Sequence, residues 1–311
     1  MNMTDLRIVS LLPSATEIVA ALGLTDAIVG RSHECDYPPE IQDRPACTEA
    51  RLNSEKPSAQ IDTDVRSLVQ SALSIYAIKT DILEQLQPTH IVTQDQCDVC
   101  AVSFPEVKKA VGELIRSHPD IISLQPNHLA EVWADIERVA NSLGVESEPV
   151  LSQLQSRIEA CRQKTQKLSI SDRPTVAAIE WTDPLMASGN WIPELVDSAG
   201  GYSLLGALGK HSPYLEWDAL VKTDPQVIII MPCGFDLERT RQETQPLTLR
   251  PEWSNLQAVC NGRVYITDGN AYFNRPGPRL VDSVEILAEI LHPELFEFGY
   301  RGTGWEPWES V

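Results

Sequence analysis

The chain has 311 residues, 42% of them hydrophobic, with 25 Lys and Arg against 44 Asp and Glu and a formal net charge of −19. That length is long for one core and comfortable for two lobes, and the apolar content argues against wholesale disorder. The acidic balance repels phosphate backbones, and no basic stripe with interleaved aromatics is present, so nucleic acid is a poor partner.

No stretch approaches the ~18 consecutive apolar residues of a membrane span. Met1–Arg7 offers no basic region, long apolar run or small-residue cleavage site, so a soluble, cytoplasmic protein is expected, or a periplasmic one if a signal segment has been removed. Seven cysteines, an odd number unevenly spaced, do not resemble a disulfide scaffold.

Ile8–Leu12 reads as a buried strand, and Ser14-Ala-Thr-Glu17 as a capping box opening a helix that closes at Gly23. Ala27–Val29 is a second short strand. It leads into the loop 30–39, where Pro38-Pro39 bars a helix or central strand. Asp62–Leu73 reads as helix, His90–Thr93 as buried strand, Pro105–Ser117 as helix and Ile121–Leu124 as strand. From Leu129 to Gln166, apolar residues at helical spacing predict two helices, the longer one a strut between lobes. Strands are expected at Thr175–Ile179, Val227–Met231 and Arg263–Thr267, and helices at Pro193–Ala199 and Pro278–Leu291. The tail from Phe298 is expected to wrap the surface.

One pattern recurs. Asp81, Leu83, Pro88, Ile91 and Val92 are answered 137 positions later by Asp218, Leu220, Pro225, Ile228 and Ile229. Each copy reads as a short helix, a proline turn and a buried strand. Alternating strands and helices in both halves imply an α/β protein of two similar lobes with parallel sheets, bridged by the longer of the two helices. The expected division is 1–128, a helical segment 129–168, and 169–311. Ligands of such sheets bind beyond the carboxyl ends of the strands, so a ligand-binding cleft is expected there.

Arg7-Ile-Val-Ser-Leu-Leu-Pro-Ser-Ala-Thr-Glu17, Asp36-Tyr-Pro-Pro39, Ala187-Ser-Gly-Asn-Trp191, Asp197-Ser-Ala-Gly-Gly201 and Arg275-Pro-Gly-Pro-Arg279 occur in that order. Together they resemble the helical-backbone, metal-receptor class of solute-binding proteins for cobalamin, ferric siderophores and haem, and most closely its cobalamin-binding members. The resemblance implies a class III solute-binding fold, two Rossmann-like lobes with parallel sheets joined by a long helix, that holds a tetrapyrrole-type ligand, with cobalamin or another corrinoid first and haem or a ferric siderophore as alternatives. It also implies an ABC permease as partner if the protein is exported. Ligand contacts are then expected from Tyr37, Trp181, Asn190, Trp191, Tyr214, Tyr272, Phe273 and Arg275, where aromatic faces would pack a corrin ring.

His33, Cys35, Cys97 and Cys100 form a second constellation. His33-x-Cys35 and Cys97-x-x-Cys100 each follow a predicted strand of the first lobe, and one imidazole with three thiols is the set zinc prefers in closed sites. Other thiophilic metals fit the same donors. Buried structural thiols and a redox pair are the competing readings. A thiol-dependent enzyme or metal-dependent regulator on this fold is thus an alternative, although no Gly-x-Ser-x-Gly elbow, Walker loop or His-Glu-x-x-His occurs. His33 also offers an axial nitrogen to cobalt or iron.

Overall fold

The computed structural model describes residues 6–70, 75–95, 104–114 and 116–308. These fall into two compact units, the first ending at Ser152 and the second beginning at Gln153, with Pro57–Ala59 and Asn127–Leu129 grouped with the second.

The first unit holds β1 (Ile8–Ser10), β2 (Ile28–Arg31), β3 (Thr48–Ala50), β4 (Tyr76–Ile78), β5 (His90–Gln94) and β6 (Asp120–Leu124), with α1 (Pro13–Ala21), α2 (Ser58–Gln70), α3 (Thr80–Leu86), α4 (Phe104–Leu114) and α5 (Leu129–Leu143). Four strands form a parallel sheet in the order β2-β1-β5-β6, and β3 and β4 make a separate antiparallel pair. All five residues of β5 are buried, as expected of a parallel strand covered on both faces. Val9, Leu11, Leu83, Ile91, Val107 and Cys47 pack into one core.

α1 does not start at a capping box. Pro13 is its first residue, Leu12 precedes it in extended conformation, and Ser14 lies inside the first turn with a buried hydroxyl that has no hydrogen-bond partner among the described residues. Proline wins that position because its missing N–H costs nothing at a helix start. The far end is as expected. Gly23 takes φ 79°, its N–H reaches the Ala20 carbonyl at 2.9 Å, and the Leu24 N–H reaches that of Val19 at 3.1 Å, a Schellman closure.

The helix α6 (Glu148–Thr165) contains the division between the units. The second unit continues with β7 (Thr175–Thr182), β8 (Leu185–Ala187), β9 (Gly189–Asn190), α7 (Ile192–Ser198), β10 (Tyr202–Leu204), β11 (Ala207–Leu208), α8 (Trp217–Thr223), β12 (Val227–Ile230), α9 (Leu237–Thr248), α10 (Gln257–Cys260), β13 (Val264–Thr267), α11 (Leu280–Leu291) and β14 (Trp305–Pro307). Its main sheet runs β10-β7-β12-β13-β14, parallel except at β14, with β8 antiparallel on β7.

The repeat seen in sequence is a repeat in structure. α3 ends at Gln87 with φ 45° and α8 at Asp224 with φ 44°. Each capping N–H bonds the carbonyl four residues back, Leu83 or Leu220, at 3.1 Å. The following proline forbids further helix, and β5 or β12 begins within three residues.

The tail does not lie loosely on the surface. β14 pairs antiparallel with β13. Glu289 of α11, itself buried, accepts from the N–H groups of Phe298, Gly299 and Tyr300 and from Trp305 Nε1 at 2.9 Å. A buried carboxylate with four donors fixes the tail to the last helix.

Candidate functional site

In each sheet the order reverses beside the first strand of the unit: β1 has β2 on one side and β5 on the other, and β7 has β10 and β12. The carboxyl ends of these strands are where an α/β sheet binds ligands.

Beyond β2 in the first unit, Ser32 is buried, His33 is half-buried and Cys35 is buried. Thr48, at the start of β3, organises them. Its hydroxyl accepts the His33 N–H at 3.1 Å, lies 2.7 Å from His33 Nδ1, and donates to Ser32 at 3.1 Å. Tyr76 of β4 packs on the His33 ring at 5.1 Å and donates to Glu34 at 2.7 Å. Burial, then the charges of Lys79 and Arg31, hold the His33 pKa below the usual imidazole value, so the ring is neutral at pH 7. The Cys35 thiol faces inward and accepts from Thr16 of α1 at 3.0 Å. Tyr37, on the same loop, is 45% exposed.

No group of three or more His, Cys, Asp and Glu is placed to hold a metal ion among the described residues. Cys97 and Cys100 lie outside those residues. The expected Cys3His zinc site therefore has no support from its described half: Cys35 is turned to the core, and His33 is oriented by Thr48 instead.

Three loops at the carboxyl ends matter in the second unit. Trp181, near the end of β7, packs on Phe235 after β12 with ring centroids 5.1 Å apart, and Arg239 stands 4.9 Å over the other ring. The loop after β13 is clasped to the loop after β12. Asn274 donates to the carbonyls of Met231 at 3.1 Å and Gly269 at 3.0 Å, and a Cβ on Gly269 would lie 2.1 Å from the Pro232 oxygen. Asp268 accepts from Ala271 N–H at 2.7 Å, and burial holds its pKa above the usual carboxylate range.

The predicted contact residues separate into two groups. Phe273 is 0% exposed with φ 63°, and its carbonyl accepts from the indole N–H of Trp191, 5% exposed, at 2.7 Å. These two side chains are core. Arg275 is buried and reaches Asn270 at 3.0 Å, and Asn190, φ 48°, is held by the Lys210 carbonyl at 2.7 Å. Both shape the loops that carry the site. Tyr272 is half-buried, edge-on to Tyr300 at 6.0 Å, with Arg279 over its ring at 5.5 Å. Tyr214 is 59% exposed and bridges Met186, which pairs with Trp181 across β7 and β8. Trp181, Tyr214 and Tyr272 thus keep surface available, as Tyr37 does in the first unit. Sequence reading missed Phe235, Arg239, Thr48 and Tyr76; only Phe235 had a signal, standing two residues beyond Cys233 at the end of the repeated strand.

The family model described as periplasmic binding protein matches residues 8–271. The chain belongs to the periplasmic-binding-protein family. This member is 25% identical over 295 residues to an uncharacterized ABC transporter substrate-binding lipoprotein of Bacillus subtilis (strain 168), covering 94% of this chain and 81% of that protein. It is 23% identical over 298 residues to the vitamin B12-binding protein of Vibrio cholerae serotype O1 (strain ATCC 39541), covering 92% and 88%. Among solved structures, the apo periplasmic haem-binding protein from Roseiflexus sp. RS-1 superposes with a TM-score of 0.68 at 19% identity, covering 93% of this chain and 98% of that one. The periplasmic vitamin B12 binding protein of Vibrio cholerae gives 0.63 at 20% identity, covering 94% and 98%. The fold of this family member is the class III periplasmic-binding-protein fold. Among the described residues no helix is long and apolar enough to cross a membrane. Relatives named as periplasmic or as a lipoprotein give no support to the cytoplasmic placement expected above.

Proposed function

We infer that this family member is the substrate-binding component of an ABC importer, working outside the cytoplasm on a metal-containing tetrapyrrole, with a corrinoid as the first candidate. The observation that carries the reading is the match to vitamin B12-binding proteins, which runs over 92% of the chain. Accessible aromatic side chains at the carboxyl ends of the sheets, Tyr37 in the first unit and Trp181, Tyr214 and Tyr272 in the second, are of the kind a flat macrocycle packs against and support the reading. Haem is the second reading, favoured by the presentation of His33.

Titration of the apo protein with cyanocobalamin, followed by quenching of tryptophan fluorescence, is expected to saturate at one equivalent. Tyr272→Ala should weaken binding about tenfold, the ~1.4 kcal/mol worth of a packed aromatic face. Unchanged affinity in Tyr272→Ala would remove that residue from the site. Quenching by ferric haem with none by cobalamin would move the assignment to haem.

A further inference from the structure

The neighbours of His33 determine which ring nitrogen carries its proton. A threonine hydroxyl has one hydrogen, and Thr48 gives it to Ser32 Oγ at 3.1 Å. The same oxygen accepts the His33 backbone N–H at 3.1 Å and stands 2.7 Å from Nδ1. With its hydrogen so placed, Thr48 accepts from the ring. This arrangement favours the tautomer with the proton on Nδ1 and the lone pair on Nε2. Ser32 is held in turn by the Glu34 N–H at 3.3 Å.

The ring's orientation is also fixed. Thr48 is fully buried on β3, which pairs with β4, and β4 carries the Tyr76 ring that packs on the imidazole with 56° between planes. His33 is thus set by a strand pair as well as by its own loop. Nε2 makes no hydrogen bond among the described residues, and the side chain remains partly exposed. An imidazole whose inner nitrogen is tied to a buried oxygen, leaving the outer lone pair outward, is how proteins orient a histidine toward a metal.

The donor count among the described residues favours one kind of metal. Protein sites for a bare zinc ion use three or four side chains, and the described residues offer His33 no such companions. A lone imidazole suits a metal whose other positions are already filled, as the macrocycle nitrogens fill the equatorial plane of a metal tetrapyrrole. We propose that His33 Nε2 is an axial ligand to the iron or cobalt of the bound tetrapyrrole, and that Thr48 and Ser32 are positioning residues that fix its tautomer. The proposal rests on the reading of the chain as a tetrapyrrole binder. In the step, the Nε2 lone pair forms a bond to the metal and a coordinated water leaves. No proton is released, and the oxidation state of the metal does not change. Ferric haem and aquacobalamin have such an exchangeable axial water; cyanocobalamin, with cyanide in that position, does not.

The test compares absorption spectra of wild type, His33→Ala, Thr48→Val and Thr48→Ser with ferric haem and with aquacobalamin, with retention of each ligand measured independently by native mass spectrometry. Wild type is expected to shift the bands of at least one ligand. His33→Ala should retain that ligand without the shift, and free imidazole should restore it. Thr48→Val should weaken the shifted complex by about ten- to a hundredfold, the usual cost of losing a ligand's supporting hydrogen bond, while Thr48→Ser keeps it. A ligand retained by wild type with no band shift, or a shift that survives His33→Ala, overturns the proposal and leaves the functional reading standing. No retention of any tetrapyrrole by wild type overturns both.

Discussion

Ser14 occupies the first turn of α1 with its hydroxyl buried and without a partner among the described residues. An unsatisfied buried hydroxyl costs about 1–3 kcal/mol, and alanine is the better helix former. Ser14→Ala is therefore expected to raise stability by about 1 kcal/mol in urea denaturation; a loss of stability would mean that the hydroxyl has a partner. Asp135 makes the opposite kind of point. Its carboxylate accepts from Gln125 N–H at 3.1 Å and pairs with Arg138, yet burial outweighs both and pushes its pKa from 3.8 up to about 6. Between those two values the folded state binds more protons than the unfolded chain, so this contribution to stability is present at the acid end and is lost as pH rises toward 6. Asp135→Asn removes that titration. Relative to wild type, the variant should gain stability as pH rises from 4 to 6, and a constant difference between the two proteins would contradict the assignment. The same weighing applies to the predicted contacts. Trp191 and Phe273 have the residue types of a ligand-facing pair, but one hydrogen bond and exposures of 5% and 0% place them in the core. Nothing in their sequence positions distinguishes the two fates.

Among the elements, long buried strands and helices stopped by proline were legible because each obeys a local rule. β12 is an unbroken apolar run, β5 has Ile91 and Val92 at its centre and is buried throughout, and the left-handed residues Gln87 and Asp224 lie directly before prolines. The two- and three-residue strands β8 to β11 carry no periodicity and form only where β7 offers an edge or a neighbouring loop returns. α9 was not anticipated, since polar residues dominate Leu237–Thr248 and Pro246 lies within it. It starts on Asp236, whose side chain caps the Arg239 N–H at 2.8 Å. The tail is the other element the sequence hid. Its order comes from Glu289, one of several acidic residues along α11, whose role becomes visible only when four donors converge on it. Glu289→Ala removes the acceptor of those four donors and should cost about 1–3 kcal/mol. Limited proteolysis should then cut first between Phe298 and Trp305; unaltered resistance there would show that β14 alone holds the tail.

For the whole molecule, the fold was readable from the internal repeat and the ordered motifs, and the family match over residues 8–271 agrees with it. The site was readable less far. Residues brought together from separate loops, such as Thr48 with His33 or Arg239 with Phe235, have sequence separations that no motif records. The Cys3His reading of His33, Cys35, Cys97 and Cys100 rested on residue types and on the strands their loops follow; within its described half, the Cys35 thiol accepts from Thr16 and His33 Nδ1 lies against the buried Thr48 hydroxyl. The accessible aromatics and the family support the proposed reading as a tetrapyrrole-binding receptor. The most direct measurement is native mass spectrometry of the protein after incubation with an equimolar mixture of aquacobalamin and ferric haem. The account predicts one retained tetrapyrrole per chain after desalting. A spectrum showing only the bare chain would contradict it.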